Sequence, residues 1–428
     1  MSLAIIEIND SGHCCGNEMG EIFISPGYAF LTNDGIETGD IALKKSFLSP
    51  QKSFNQFWRQ LSLSPVSHPT NKVRHNADLA FQQLTDLYNQ LNKPSEIIFA
   101  IPGTFDRQQL SIILGLAKAL SFKVLGLVDS AVAAVSHFES KDKVSDTKHF
   151  VYLDIQLHQT VFTQLQKNQG IIKRTCVDIV TNLGITTFYD DWARHIADKF
   201  IKEYRFDPLH TAEGEQQLYN LLPKWLEKLN LSSETLAVLD SPQGTYQLAI
   251  HLDELLKEST KKINQLKKKF ASTVKSRDIL VASHRLLLLP GISEQLAKFH
   301  ILKKDAAVFG SLENSQEIMQ DQENMHLVIS LNNLIPNTPE TSNLTSMKLP
   351  THILYRHEAI EIGNILYFDL QGDSLRFAQS QISKKSIFLV ENNLYINDED
   401  RNKKEKIQLH LGEVITVGSE SFQLIRVT

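Results

Sequence analysis

At 428 residues, with 42% apolar and 22% charged side chains, the chain reads as a soluble globular protein of two or more domains. Its 44 basic and 49 acidic residues give a mixed balance and a net charge of −5, with no nucleic-acid or anionic-membrane signature. No run of about 18 apolar residues is present, so no bilayer-spanning helix is predicted.

The N-terminal MSLAIIEIND has no basic n-region and only a short apolar run, so it reads as a first β-strand, not a signal peptide. The turn NDSGH follows. The three cysteines, Cys14, Cys15 and Cys176, make no disulfide framework. Cys14 and Cys15 beside His13 raise a metal or redox reading, but no Cys-x-x-Cys or His-x-x-x-His spacing supplies further ligands. Small residues in a turn are expected there, and no metal site. These features point to a reducing, cytoplasmic setting. EIFISPGYAFL and DGIETGDIALKK add short strands and turns. From 75 to 92, Leu79, Ala80, Leu84, Leu87, Tyr88 and Leu91 fall at helical spacing, with Asn76 as the predicted N-cap. A buried strand, EIIFAIPG, precedes the helix DRQQLSIILGLAKALSF, which has Asp106 near its start. VLGLVD is then a strand and SAVAAVSHF a helix. This alternation predicts a mostly parallel, doubly wound sheet.

Past the polar bridge ESKDKVSDTK, the runs FVYLDI, TVFTQLQ and GIIKRTCVDIV predict an antiparallel meander. A helical section spans about 186–229, broken at FDPLH by Pro208. TYQLAIHLDELLKESTKKINQLKKKF combines a strand with a helix whose Lys-rich face is solvated. DILVASH is a strand and PGISEQLAKF a helix. Two strand-rich openings, each followed by helical crossovers, suggest two similar halves around a cleft. The tract 313–350 is rich in Asn, Gln, Ser, Thr and Pro and reads as an exposed linker. Residues 351–428 hold short strands with Asn, Asp and Gly turns, which predict a small β-sandwich or barrel.

The order of these pieces resembles the actin-like ATPase superfamily, in particular the nucleotide-binding domain of DnaK-type chaperones. The resemblance covers nearly all of 1–312. AIIEINDSGH stands at the first phosphate loop. EIIFAIPGTFDRQQLSIILGLAKALSFKVLGLVDSAVAAV is similar to the chaperone run of strand, Pro-turn, helix, strand and Ala-rich helix. YLDIQLHQTVFTQL stands at the second phosphate loop, NLGITTFYDDWARHIADKF at a Leu-Gly-Gly segment leading into a helix, and ILVASHRLLLLPGISEQL with DAAVFGS at the adenosine strand and closing helix. The resemblance implies an α/β, two-lobed actin-like (ribonuclease H-like) body. The end of the chain, LYINDEDRNKKEKIQLHLGEVITVGSESFQLIRV, is similar to the last strands of forkhead-associated domains through Leu409, Gly412, Glu413 and Gly418. The elements with which that family binds phosphothreonine are not recognisable in 351–390, so a structural all-β sandwich is expected.

The resemblance also implies site residues. If the cleft is active, Glu7 and Asp154 would hold hydrated magnesium, Asp129 would position the attacking water, and Arg285 would stack on the purine of ATP. Asn9, Asp10, Ser11, His158, Gly184 and Ser283 stand at the remaining binding positions. The plainer alternatives are turn formation by Asp129 and Asp154, a surface pair for Arg285, and a solvated loop histidine at His158. Phosphate loops use glycine because backbone N–H groups must approach oxygen with no Cβ in the way. Here Asn9 and Asp10 replace Gly-Thr, the second loop keeps none of its glycines, Ala282-Ser283 replaces Gly-Gly, and Ile185 follows Gly184. The expected function is therefore a non-catalytic scaffold or protein-interaction module with a degenerate nucleotide cleft. A divergent ATPase and a small-molecule kinase of the same fold are the alternatives, and a protein partner is expected.

Overall fold

A computed structural model of the chain describes residues 2–66, 69–120, 122–139, 147–320, 325–332, 350–356, 358–363, 365–371, 374–383, 385–390, 393–397, 407–409, 414–417 and 420–425. They form two compact units, Met1–Pro336 and Asn337–Thr428.

The first unit is α/β and contains two six-stranded mixed sheets with the same internal order. In the first sheet, Leu3–Glu7, His13–Asn17 and Ile22–Ser25 form an antiparallel meander. Leu3–Glu7 then pairs in parallel with Glu96–Ile101, which pairs in parallel with Lys123–Asp129. In the second sheet, Lys148–Ile155, Gln159–Asn168 and Ile171–Thr181 form the meander. Lys148–Ile155 pairs in parallel with Ile279–Ala282, and that strand with His300–Ile301. The first sheet is thus mixed, where a mostly parallel one was expected, because tight turns can join only antiparallel neighbours. Cys14 and Cys15 are not in a turn but within His13–Asn17. Their side chains enter different cores, as the two-residue period of a strand requires.

Three large cores and a small cluster of Tyr28, Ala42 and Leu157 lie among the described residues of this unit. One packs the first sheet against Asn76–Gln90 and Arg107–Ala119. Another packs the second sheet against Ile185–Tyr204 and Ala212–Leu229, around Phe188, Trp192 and Trp225. The third lies between the sheets, where Ile5, Ile98, Phe150 and Tyr152 meet the alanine-rich helices Ser130–Phe138 and Ala306–Glu313. Small side chains let these two helices approach closely: a Cβ on Gly310 would lie 1.9 Å from the Ala133 carbonyl oxygen. Helix starts follow local chemistry. Asp106 Oδ1 accepts from Gln109 N at 2.8 Å while the Gln109 side chain accepts from Asp106 N, a reciprocal cap. The N-cap of Asn76–Gln90 is His75, not Asn76, and Asp78 accepts from the His75 N–H.

The first part of the expected linker belongs to the first unit. Ser315–Ile318 is helical, and Leu327–Val328 and Ser330–Asn332 extend the first and second sheets respectively. The alternation of Leu327, Val328, Ile329 and Leu331 among polar residues is too short to stand out from its surroundings. Residues 333–349 of that tract lie outside the described residues.

Among the described residues of the second unit, all regular structure is β. Glu358–Glu361, His352–Tyr355, Glu420–Ile425 and Val414–Val417 form one antiparallel sheet. Ser374–Ala378, Ile365–Gln371, Ser386–Val390, Asn393–Asn397 and Ile407–Leu409 form another. Ile353, Phe368, Ile387 and Phe422 lie in their common core. Tyr355 OH donates to Glu420 Oε2 at 2.7 Å and accepts from Leu375 N at 2.8 Å. Gly412, Glu413 and Gly418 lie outside the described residues, and Leu409 ends a strand. Among the described residues, no helix is long and apolar enough to cross a membrane.

Candidate functional site

The two meanders open with reversals that meet. In the first, Asn9 Oδ1 accepts from Ser11 N at 3.1 Å and from Ser11 Oγ at 2.7 Å, an Asx-type turn that uses the Ser11 hydroxyl inside the loop. In the second, Gln156 N donates to Gln159 O at 2.8 Å and closes the turn around Leu157 and His158. Two bonds join the reversals. Leu157 N donates to Asp10 Oδ1, and Asn9 Nδ2 to Asp154 Oδ2, each at 2.8 Å.

Asp154 is the hub. Its Oδ2 accepts from Asn9 and from Gln156 Nε2 (3.1 Å). Its Oδ1 accepts from Ser283 Oγ (2.8 Å) and faces Arg285 Nη1 at 3.5 Å. A carboxylate offers about four lone-pair positions, and four donors surround this one. Arg285 Nη1 also lies 3.0 Å from Glu7 Oε1, and Nη2 donates to Gly12 O at 2.9 Å. Burial pushes Glu7 above the ordinary carboxyl range, although Arg285 pulls it down. For Arg285 burial acts downward, but Glu7 and Asp154 outweigh it and hold the guanidinium above its usual value. Arg285 therefore pairs with buried acids, not with a surface acid, and its fork is already engaged by protein atoms. It would otherwise be the group available to a purine.

Gly184 is the N-cap of Ile185–Tyr204 and is held by crowding. A Cβ there would lie 2.5 Å from both Gln159 N and Leu157 O. The free N–H groups of a helix start can bind an anion. In this helix Ile185 N donates to Gln156 O and Thr186 N to Leu157 O, each at 3.0 Å. Carbonyls of the second reversal therefore occupy these two donors.

His158 is not a solvated loop histidine. It is buried, with Nε2 2.9 Å from Asn55 O and Nδ1 3.4 Å from Thr186 Oγ1, and burial lowers its pKa. Asp129 stands apart from the Asp154 hub. Its Oδ1 caps Ser130–Phe138 by accepting from Ala131 N (3.0 Å) and Val132 N (3.1 Å), and its Oδ2 pairs with Arg174 Nη1 at 2.5 Å. Gly103 presses on this pair, since a Cβ would lie 2.4 Å from Arg174 Nη1. Asp10 is buried, its Oδ2 has no hydrogen-bond partner, and burial raises its carboxyl to about 6. His13 is also buried, edge-on to Trp58, and burial lowers it to about 3.

The structure thus brings together Glu7, Asn9, Asp10, Ser11, Asp154, Ser283 and Arg285, adds His158 and Gly184 on the flank, and leaves Asp129 in a separate pair. Gln156, which the sequence marks as standing where the resembled loop would carry glycine, belongs to the hub through its bond to Asp154. A cavity of ≈ 220 Å³ beside the first reversal includes Trp58, Arg59 and Gln109 in its wall. The sequence signal for it is the aromatic–basic–amide run Phe57-Trp58-Arg59-Gln60. No protein-family model matches the chain, and no curated protein matches it in sequence.

Proposed function

We propose that the chain is a cytoplasmic, non-catalytic scaffold with a two-lobed actin-like body, resembling a DnaK-type nucleotide-binding domain whose cleft is filled by its own side chains. The observation that carries the reading is Arg285, a buried cation set between Glu7 and Asp154. Those carboxylates would hold a hydrated magnesium ion in an active relative, and here a guanidinium supplies the positive charge. The helix start behind them is closed by loop carbonyls, which leaves triphosphate oxygens without donors. Phosphoryl transfer depends on positioning and charge stabilisation, and both are directed inward. The repeated sheet order, with two alanine-rich helices between the sheets, supports the actin-like architecture. Free Cys14, Cys15 and Cys176 suit a reducing compartment. The all-β unit would be a second interaction module, similar in outline to forkhead-associated domains.

Calorimetric titration of the full chain with ATP and a non-hydrolysable analogue, with and without magnesium, tests this reading. No saturable heat and no phosphate release are expected. Micromolar, magnesium-dependent binding would overturn it. In that event, phosphate release without an acceptor would indicate an ATPase, and its absence a kinase.

A further inference from the structure

The ≈ 220 Å³ cavity beside the first reversal carries groups of both charges, and we propose that it binds a free, zwitterionic α-amino acid with an apolar side chain. The acidic group is Asp10, which is 5% exposed and lines the cavity. Leu157 N satisfies its Oδ1, while its Oδ2 is buried without a partner. A buried carboxylate oxygen with no donor is costly, and an α-ammonium group would supply one once a small shift of the Asp10 side chain turns Oδ2, closed to solvent here, toward the cavity. The basic group is Arg59, which is half-buried and close enough to Asp10 to lower its pKa. Both its Nη atoms bond a single exposed acceptor, Asn182 Oδ1, at 3.3 Å. A guanidinium has five N–H donors, so a fork remains for an α-carboxylate.

The rest of the wall fits the same ligand. Gln156 and Gln159 are buried amides joined to each other at 2.8 Å, and they present further polar atoms. Trp58, Phe105 and Ile179 supply apolar surface for a side chain. Thr181 and Ile179 are exposed, so the cavity reaches solvent at that rim. The volume is below the roughly 300–1,000 Å³ of sites for drug-sized ligands. It corresponds to about seven waters, which suits a single amino acid and is too small for a nucleotide. A neutral polyol would match the amides but leave two opposite charges without counterparts, and specificity comes from such mismatches. Glu7, Asp154 and Arg285 do not line this cavity, whereas Asn9, Asp10 and Gln156 belong both to its wall and to the candidate site, so the ATP titration above and the amino-acid titration below are read separately.

Calorimetry on the full chain with L-leucine and L-phenylalanine, each also as the N-acetyl and carboxamide derivative, tests the proposal, with glucose as the neutral comparison. At least one free amino acid is expected to bind, and its two capped forms about tenfold or more weakly. Asp10→Asn and Arg59→Gln are each expected to weaken binding about tenfold or more. Thr181→Trp alters an exposed rim residue, leaves the core untouched, and is expected to abolish binding even if the other variants fail to fold. Failure of both free amino acids to bind would overturn the proposal. So would equal binding of the capped forms, binding of glucose in their place, or binding that survives Thr181→Trp.

Discussion

The Arg285 guanidinium lies 3.0 Å from the Glu7 carboxylate, with the two side chains only 3% and 4% exposed. The pair joins positions 278 residues apart. Through Gly12 O and Asp154 the same guanidinium fastens both reversals to the segment after Ile279–Ala282. A buried ion pair adds little net stability over an apolar replacement, but removing one partner strands the other. Arg285→Ala is therefore expected to cost about 3–5 kcal/mol, because it leaves Glu7 and Asp154 facing each other without a cation. Arg285→Lys should also destabilise, since an ammonium lacks the planar fork that serves Glu7 and Gly12 O together. Glu7→Gln combined with Arg285→Met should recover much of the loss. Urea denaturation of the four proteins checks the order, and an Arg285→Ala protein as stable as wild type would remove the structural role assigned to the pair.

Asp10 and His13 give opposite pH dependences. Burial raises Asp10 from 3.8 to about 6, so the native state keeps a proton that the unfolded chain has released between those values. Its contribution is complete below pH 3.8 and is lost as pH rises through about 6. His13 falls from 6.5 to about 3, so the unfolded chain holds the extra proton in that window. Its contribution is complete above pH 6.5 and is lost as pH falls through about 3. Asp10→Asn keeps an acceptor for Leu157 N and removes only the first effect. At about pH 8 it should exceed wild type by on the order of 2–3 kcal/mol, a gain that shrinks toward pH 4. Denaturation midpoints of both proteins across that range decide the matter, and parallel curves would refute it.

The two alanine-rich helices supply a packing prediction. A Cβ added at Gly310 would stand 1.9 Å from Ala133 O, and no side-chain rotation relieves that clash, since the obstacle is backbone. Gly310→Ala must push Ala306–Glu313 away from Ser130–Phe138, within the core that separates the sheets. Overpacking of this kind costs typically about 1–3 kcal/mol. Gly115→Ala, with no atom within 4 Å of its added Cβ, is the control and should be neutral or slightly stabilising. Equal melting temperatures for the two variants would contradict the close approach.

Much of the body is legible in the sequence because its signals are local. Alternation and apolar runs mark Lys148–Ile155, Gln159–Asn168 and Glu96–Ile101, and Pro208 marks the gap between Tyr204 and Ala212. His13–Asn17 escapes such a reading because His, Cys, Gly and Asn are poor strand signals, and only pairing on both sides makes HCCGN a strand. Leu327–Val328 and Ser330–Asn332 are too short to announce themselves and exist because two sheet edges accept them. At the site, the loss of glycines is readable, and so is the position of Asp154. The cation that faces Glu7 and Asp154 is not: the pairing of Arg285 with Glu7 depends on a fold that closes 278 residues of chain. The burial of His158 is hidden for a similar reason, since Asn55 and Thr186 enclose it from distant segments.

Asp129 separates a structural role from a chemical one. In the chaperone resemblance it would position attacking water, whereas here both its oxygens are engaged, Oδ1 by Ala131 N and Val132 N and Oδ2 by Arg174. Burial raises its carboxyl while Arg174 and the two N–H groups act against that. Asp129→Ala loses a helix cap, about 0.5–2 kcal/mol, and also strips Arg174 of its partner. A total of about 2–4 kcal/mol is expected, moderated because Arg174 can still reach solvent. Asp129→Asn keeps the cap acceptor and should lose less. A double-mutant cycle with Arg174→Ala should show a favourable coupling of about 1–3 kcal/mol, as expected for side chains in direct contact. If Asp129→Asn instead abolished a measurable phosphate release while leaving the denaturation midpoint unchanged, the residue would be catalytic and the scaffold reading would fall with it.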